Sequence, residues 1–244
     1  MRTLSAAELL SLWERGLPQP PVQRGLLLLG AAEETLGSTT GPRSVGQGEA
    51  RLLRLRERLF GADMVALAVC PACGERVELQ FRTGDVGGPA GDEEMPMEFQ
   101  LAVEGFEVVF RLPTSVDLGG LDPRAEPGAN RRRLLVACLL SARQGGTPME
   151  AAHLPEAVVE AIAQRMAEAD PQGDIRLELC CPQCREGWLA PLDVASFLWT
   201  ELHAWAQRIL REVHALALAY GWRESDILAL TPWRRQAYLD LLTP

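Results

Sequence analysis

Cys70-Pro71-Ala72-Cys73-Gly74 and Cys181-Pro182-Gln183-Cys184-Arg185 are two versions of one short hook, set far apart in the chain. Apolar residues run into and out of each. Residues 64–69 lead into the first hook, and Val77, Leu79 and Phe81 alternate out of it. Ile175, Leu177 and Leu179 alternate into the second, and residues 188–192 leave it. Strand-like flanks on both sides of a tight turn read as strand, knuckle and strand, one half of a zinc ribbon. Two such halves supply four thiolates, the donor set of tetrahedral zinc with Zn–S bonds of about 2.3 Å. The sequence therefore predicts one zinc per chain, held by Cys70, Cys73, Cys181 and Cys184. Four sulfurs leave no open coordination position, so the site is structural rather than catalytic.

Other uses of these cysteines fit less well. A redox Cys-x-x-Cys opens a helix, where the dipole lowers the thiol pKa, whereas both hooks here run into strand-like residues. Disulfide staples belong to small secreted domains, and no signal-peptide pattern precedes this long chain. Cys180 adjoins the second hook, but the repeated Cys-Pro-x-Cys pattern assigns ligation to Cys181. Cys138 lies in an apolar helical run and reads as a core thiol.

The 244 residues are 47% hydrophobic, enough for a substantial core. The 24 basic residues are all arginine, the acidic residues number 33, and the formal charge is −9. An acidic chain is a poor nonspecific binder of nucleic acid, because phosphate neutralisation supplies most of that affinity. No apolar run approaches the roughly 18 residues of a membrane span. The expected setting is cytoplasmic, with reduced cysteines.

In chain order, Ser5-Ala6-Ala7-Glu8 is a capping-box pattern opening a short amphipathic helix that ends at Gly16. Residues 23–34 form a second helix and 49–60 a third, with a loop over 36–48 between them. Residues 83–94 are glycine-rich and acidic and predict a mobile loop. A hairpin follows around Glu104-Gly105, then an irregular stretch, a helix over 130–143 and another over 155–168. After the second hook, Val194, Leu198, Leu202, Trp205, Ile209, Val213, Leu216 and Tyr220 recur at steps of three or four. They mark a helix about 40 Å long, followed by two short helices. His203 and His214 on it read as core or rim histidines, without a carboxylate at metal-ligand spacing.

The expected class is α+β, a zinc ribbon of two Cys-Pro-x-Cys knuckles interrupted by a ββαα insert. Four regions follow: N-terminal helices over 1–61, the split ribbon over 62–82 and 174–192, the insert over 83–173, and the long helix with its helical tail over 193–244. The tail combines Trp222, Trp233, Arg234, Arg235 and Tyr238, a composition typical of interface hot spots. These five are candidates for docking another protein or a second copy of the chain, with the Arg234-Arg235 pair expected to be exposed; for Trp222 and Tyr238 the equal alternative is that the tail folds back and seals its own helix.

Several stretches resemble one family. The tail from Leu216-Ala217-Leu218-Ala219-Tyr220-Gly221-Trp222-Arg223-Glu224-Ser225-Asp226-Ile227-Leu228-Ala229-Leu230 through Arg234-Arg235 and Tyr238-Leu239 is similar to the C-terminus of the T-even-phage-type baseplate proteins, which also accompany phage-like contractile injection systems. So are Arg51-Leu52-Leu53-Arg54-Leu55-Arg56-Glu57-Arg58-Leu59-Phe60-Gly61, Asp170-Pro171 and Phe197-Leu198-Trp199-Thr200-Glu201-Leu202. The resemblance runs over about 49–242. It implies a non-enzymatic assembly factor or adaptor of a baseplate, with other contractile-tail proteins as partners and incorporation in a tail particle as one destination.

The competing reading is a nucleic-acid-binding zinc-ribbon regulator. It requires clustered basic charge, yet Arg76, Arg82, Arg176 and Arg185 near the hooks are balanced by Glu75, Glu78, Glu178 and Glu186. A metalloenzyme or redox protein is a third, and the chain carries no nucleophile elbow, zinc-protease helix, phosphate loop or dinucleotide fingerprint.

Overall fold

The computed structural model describes residues 4–36, 43–87, 96, 98–122 and 124–242. It is mixed helix and antiparallel sheet, in two compact units. One joins Met1–Thr39 to Val194–Pro244, and the other is Thr40–Asp193.

Helices α1 (Ala6–Gly16), α2 (Pro21–Leu36) and α3 (Val45–Phe60) open the chain. Ser5 and Ser44 start α1 and α3 in the same way. Each serine hydroxyl accepts the N–H of the residue three positions on, and the side chain there, Glu8 or Gln47, accepts the serine N–H. Two orphan donors are satisfied reciprocally at each end. The cap at Ser44 begins α3 four residues earlier than the apolar pattern alone indicates. Part of the loop expected over 36–48 is therefore helical, and 37–42 lies outside the described residues.

The first hairpin follows, β1 (Asp63–Val69) with β2 (Arg76–Arg82), and then the single turn α4 (Thr83–Val86). That turn occupies the start of the stretch expected to be a mobile loop, and 88–94 lies outside the described residues. Strands β3 (Phe99–Val103) and β4 (Phe106–Phe110) form the expected hairpin. Its two turn residues, Glu104 and Gly105, both have positive φ, 50° and 77°, the backbone that a tight hairpin with right-twisted strands requires.

The next region corrects two expectations. Inside the stretch read as irregular lies α5 (Ser115–Gly119). The helix expected over 130–143 is α6 (Pro127–Cys138) followed at once by a strand, β5 (Leu139–Gln144), which turns into the short β6 (Thr147–Pro148). The insert is thus a four-stranded sheet of order β3-β4-β5-β6 with helices, not ββαα. The reason is tertiary. Strand β4 buries Phe106, Val108 and Phe110, and its second edge needs a partner. Residues 139–144 carry no glycine or proline to signal the change from helix, and pairing with β4 decides their conformation. The register runs from Phe106↔Gln144 to Phe110↔Leu139, with an irregularity between Val109 and Phe110.

Helix α7 (Glu156–Ala169) covers this sheet. Val158, Val159 and Ile162 pack with Phe106, Val108, Phe110, Leu135, Ala142 and Leu154 in one apolar cluster. A 3₁₀ turn, Pro171–Asp174, leads to the second hairpin, β7 (Arg176–Cys180) with β8 (Gly187–Pro191). Asp170, just ahead of the turn, accepts the Gly46 N–H at the start of α3 (2.8 Å). A Cβ at Gly46 would lie 2.0 Å from the Asp170 carboxylate and 2.7 Å from the Gly173 nitrogen, so only glycine permits this approach.

Arg111, one residue past β4, locks the insert. Its guanidinium grips Asp117 through two hydrogen bonds (2.7 and 2.8 Å) and donates to the carbonyls of Leu112 and Ala137. Asp117 also accepts the Thr114 N–H and hydroxyl, capping α5. Arg111 first, then Thr114, holds the Asp117 carboxyl well below the usual carboxylate range. Its contribution to stability is complete above the unfolded-state value of about 4 and is lost as pH falls from there toward the depressed folded value. Asp117→Asn is expected to cost about 1–3 kcal/mol at pH 7. The gap between variant and parent should shrink as urea melts are repeated from pH 5 down to about pH 2. A gap independent of pH would show that the carboxylate charge contributes nothing.

The other unit is helical. Helix α8 (Val194–Tyr220) packs against α1 and α2 and against two short helices, α9 (Glu224–Leu228) and α10 (Pro232–Asp240). Several partners consume the broad apolar surface that one ribbon is too small to cover. Gly16 lets the Trp199 ring lie on the end of α1, since a Cβ there would come within 2.3 Å of it. Arg24 stacks over the same ring at 4.8 Å. His203 is a rim histidine whose Nδ1 accepts the indole N–H of buried Trp13 (3.0 Å).

Candidate metal centre

The two knuckles are built alike. In the first, the Cys70 N–H donates to Glu75 O (2.8 Å) and the Gly74 N–H to Cys70 O (3.0 Å). In the second, the Cys181 N–H donates to Glu186 O (2.8 Å) and the Arg185 N–H to Cys181 O (3.0 Å). Each turn needs a left-handed residue after its second cysteine. Gly74 takes φ 76° without cost, while Arg185 takes φ 62°, a conformation that is strained for a residue with a Cβ.

This geometry brings all four sequence-predicted ligands together. Cys70 Sγ lies 3.6 Å from Cys184 Sγ, and Cys73 Sγ lies 3.6 Å from Cys181 Sγ. All four sulfurs fall within 4.8 Å of one another. Bonds of 2.3 Å at tetrahedral angles put sulfurs about 3.8 Å apart, so the quartet fits a zinc-sized ion. The separations far exceed the roughly 2.05 Å of a disulfide, and all six cysteines are free. Cys70 and Cys181 are buried and Cys73 and Cys184 exposed, one inner and one outer cysteine per hook.

Backbone amides aim at the sulfurs. The Cys184 N–H, helped by that of Gln183, lowers the Cys181 thiol to about 7 against the effect of burial. The Glu186 N–H likewise favours a thiolate at Cys184, but hydrogen bonding to Cys73, burial, and the Cys70 and Cys181 thiols push it up to about 12. Cys73 is also raised, since the Glu75 amide and Cys184 are outweighed by burial and by Cys181 and Cys70. So close a set of thiols resists full ionisation by itself. A dication at the centre reverses that balance, because each thiolate then faces positive charge.

Cys180 and Cys138 stand apart. Cys180 is exposed on β7, its sulfur 3.8 Å from Arg185 O. Cys138 is fully buried, and burial pushes its thiol up to about 11 in spite of nearby Arg111.

The five tail candidates separate. Trp222 stacks on Tyr220 (4.8 Å between centroids) and meets Tyr238 edge-on (4.9 Å). Both help cover a small cluster of Val213, Leu216 and Ile227. Arg235, expected to be exposed, is 5% exposed. Its guanidinium donates to Glu212 of α8 (2.7 Å) and to Leu230 O (3.3 Å). It is a buried strut between α10 and α8, held there by Glu212. Arg234 beside it is exposed, and Trp233 is 81% exposed. The sequence offered no sign of which arginine turns in, since Glu212 lies far back in the chain.

No helix among the described residues is long and apolar enough to cross a membrane. No curated protein and no solved structure is significantly similar to the chain. The model of one family, described as T4 bacteriophage base plate protein, matches residues 31–199. That range takes in both knuckles, the whole insert and the start of α8, and it ends before the tail that carries much of the resemblance in the sequence. Since it covers more than half of the sequence, the chain belongs to the T4 bacteriophage base plate protein family.

Proposed function

We propose that the chain is a non-enzymatic assembly factor or structural adaptor in the baseplate of a phage-like contractile tail or injection system, with one structural zinc clamping its two hairpins. Family membership supports a baseplate role. The observation that carries the finer reading is the sulfur quartet, which ties the two ends of a long insert to one point. Closing so long a loop costs chain entropy, and metal coordination offsets it. Four sulfurs complete a tetrahedron, so the ion would organise the chain rather than bind substrate. The chain would be made in the cytoplasm and would act during or within particle assembly.

Docking to another baseplate protein is assigned to Trp233 and Arg234. Trp222, Tyr238 and Arg235 would support that surface from within. A bulky indole left in water beside a cation is the composition of an interface hot spot, worth about 2 kcal/mol or more when truncated. Trp233→Ala with Arg234→Glu is expected to leave circular dichroism and zinc content unchanged while particle yield falls sharply. Normal particle yield from the folded variant would refute the assignment. The regulator reading has no comparable support, and a gel shift at moderate salt tests it directly.

A further inference from the structure

Strand β1 presents an open edge that is complementary to itself. Among the described residues its partner is β2 alone, and the three sheets there are separate. Val65, Leu67 and Val69 are 58%, 61% and 62% exposed, while Met64 between Asp63 and Val65 is buried. The ladder's phase follows from its two ends. The Cys70 N–H donates to Glu75 O and the Thr83 N–H to Ala62 O, so the even-numbered residues of β1 bond to β2. Val65, Leu67 and Val69 therefore turn their own N–H and C=O groups to the open side.

Such edges are usually guarded by charge, proline or a bulge. Strand β2 has its guard, with Arg76, Glu78, Gln80 and Arg82 exposed. The Arg56 guanidinium meets the open side of β1 at its first residue, donating to Asp63 O (2.6 Å), but residues 64–69 carry no charge or proline, and the register of β1 is regular throughout. Moreover, Val65-Ala66-Leu67-Ala68-Val69 reads the same in both directions. In an antiparallel pair centred on Leu67, Val65 faces Val69 of the second copy, Ala66 faces Ala68, and Leu67 faces itself. The phase agrees with the palindrome, because the central residue of that pair is one whose backbone groups point outward. Three residues from each copy exchange six hydrogen bonds, and six aliphatic side chains gather on one face.

We infer that this chain self-associates through β1, two copies pairing antiparallel about Leu67 to form a continuous β2-β1-β1-β2 sheet. One five-residue strand is less than a standard interface of about 1,200–2,000 Å², so the dimer is weak by itself, with Kd on the order of micromolar or above. A multi-copy particle would raise its local concentration.

Sedimentation equilibrium on the zinc-loaded full chain tests this. Mass should rise toward a dimer with concentration. Leu67→Glu, which sets like charges opposite each other, should raise Kd at least about tenfold. Val65→Glu with Val69→Glu should do the same, while Val65→Glu with Val69→Arg, which places opposite charges across both outer pairs, should keep the dimer. A merely sticky patch would lose association in all three. Amide exchange gives an independent readout. Protection at Val65, Leu67 and Val69 should grow with concentration, while Ala66 and Ala68, already bonded to β2, stay constant. A chain still monomeric at about 0.5 mM, a dimer indifferent to Leu67→Glu, or edge amides protected only when another baseplate protein is added would each overturn the inference.

Discussion

Zinc-loaded chain treated with a strong chelator, or carrying Cys73→Ser or Cys184→Ser, is expected to lose its metal and to melt about 10 °C or more below the parent. Metal analysis of the parent should give about one zinc per chain. The four sulfurs sit at spacings that suit the ion, and without it the knuckles hold three or four crowded thiols that oppose one another's ionisation. Two hairpins with mostly exposed outer faces then have little to hold them at one point. Thiol titration separates the ligands from the bystanders. In the loaded native chain Cys180 should react alone. Chelation should release the four ligands, and Cys138 should stay silent until the chain unfolds, because it is fully buried and its thiol is raised. Purified protein without metal and with both hooks oxidised would refute the site. So would a Cys180→Ser variant that loses zinc as readily as Cys184→Ser.

Phe110→Ala is the second change with a large expected effect, a loss of about 3–5 kcal/mol. Phe110 is fully buried at the centre of the insert's core and stacks on Phe99 at 5.7 Å between centroids. Its neighbours Val108, Leu135, Val158 and Ile162 belong to one sheet and two helices, so the cavity cannot close by moving one side chain. Val136→Ala on the outer side of α6, where Val136 is 48% exposed, should change stability by less than about 0.5 kcal/mol. Chemical denaturation monitored on both variants checks the contrast. A Phe110→Ala chain that unfolds with the parent would mean that this core does not govern the stability of its unit.

The local chemistry of this chain was legible in its residues. Two Cys-Pro-x-Cys hooks with alternating flanks specify knuckles by turn geometry that needs only neighbouring residues. Ser5 and Glu8, or Thr231 and Pro232, mark helix starts because the orphan amides they serve lie within one turn. Helix α8 was readable because its apolar period persists over many turns. Where two distant stretches must meet, the residues alone were silent. Residues 139–144 became a strand because β4 offered an unpaired edge, and nothing local distinguishes them from a continuing helix. Arg235 turned inward because Glu212 waited on another helix, while its neighbour Arg234 stayed in water. The phase of the β1 edge was likewise set by the pairing with β2. Sequence carries the short-range terms, caps, turns and periodicity. Which buried group finds its partner, and which edge is left open, depends on contacts across long sequence separations that only the folded chain brings about.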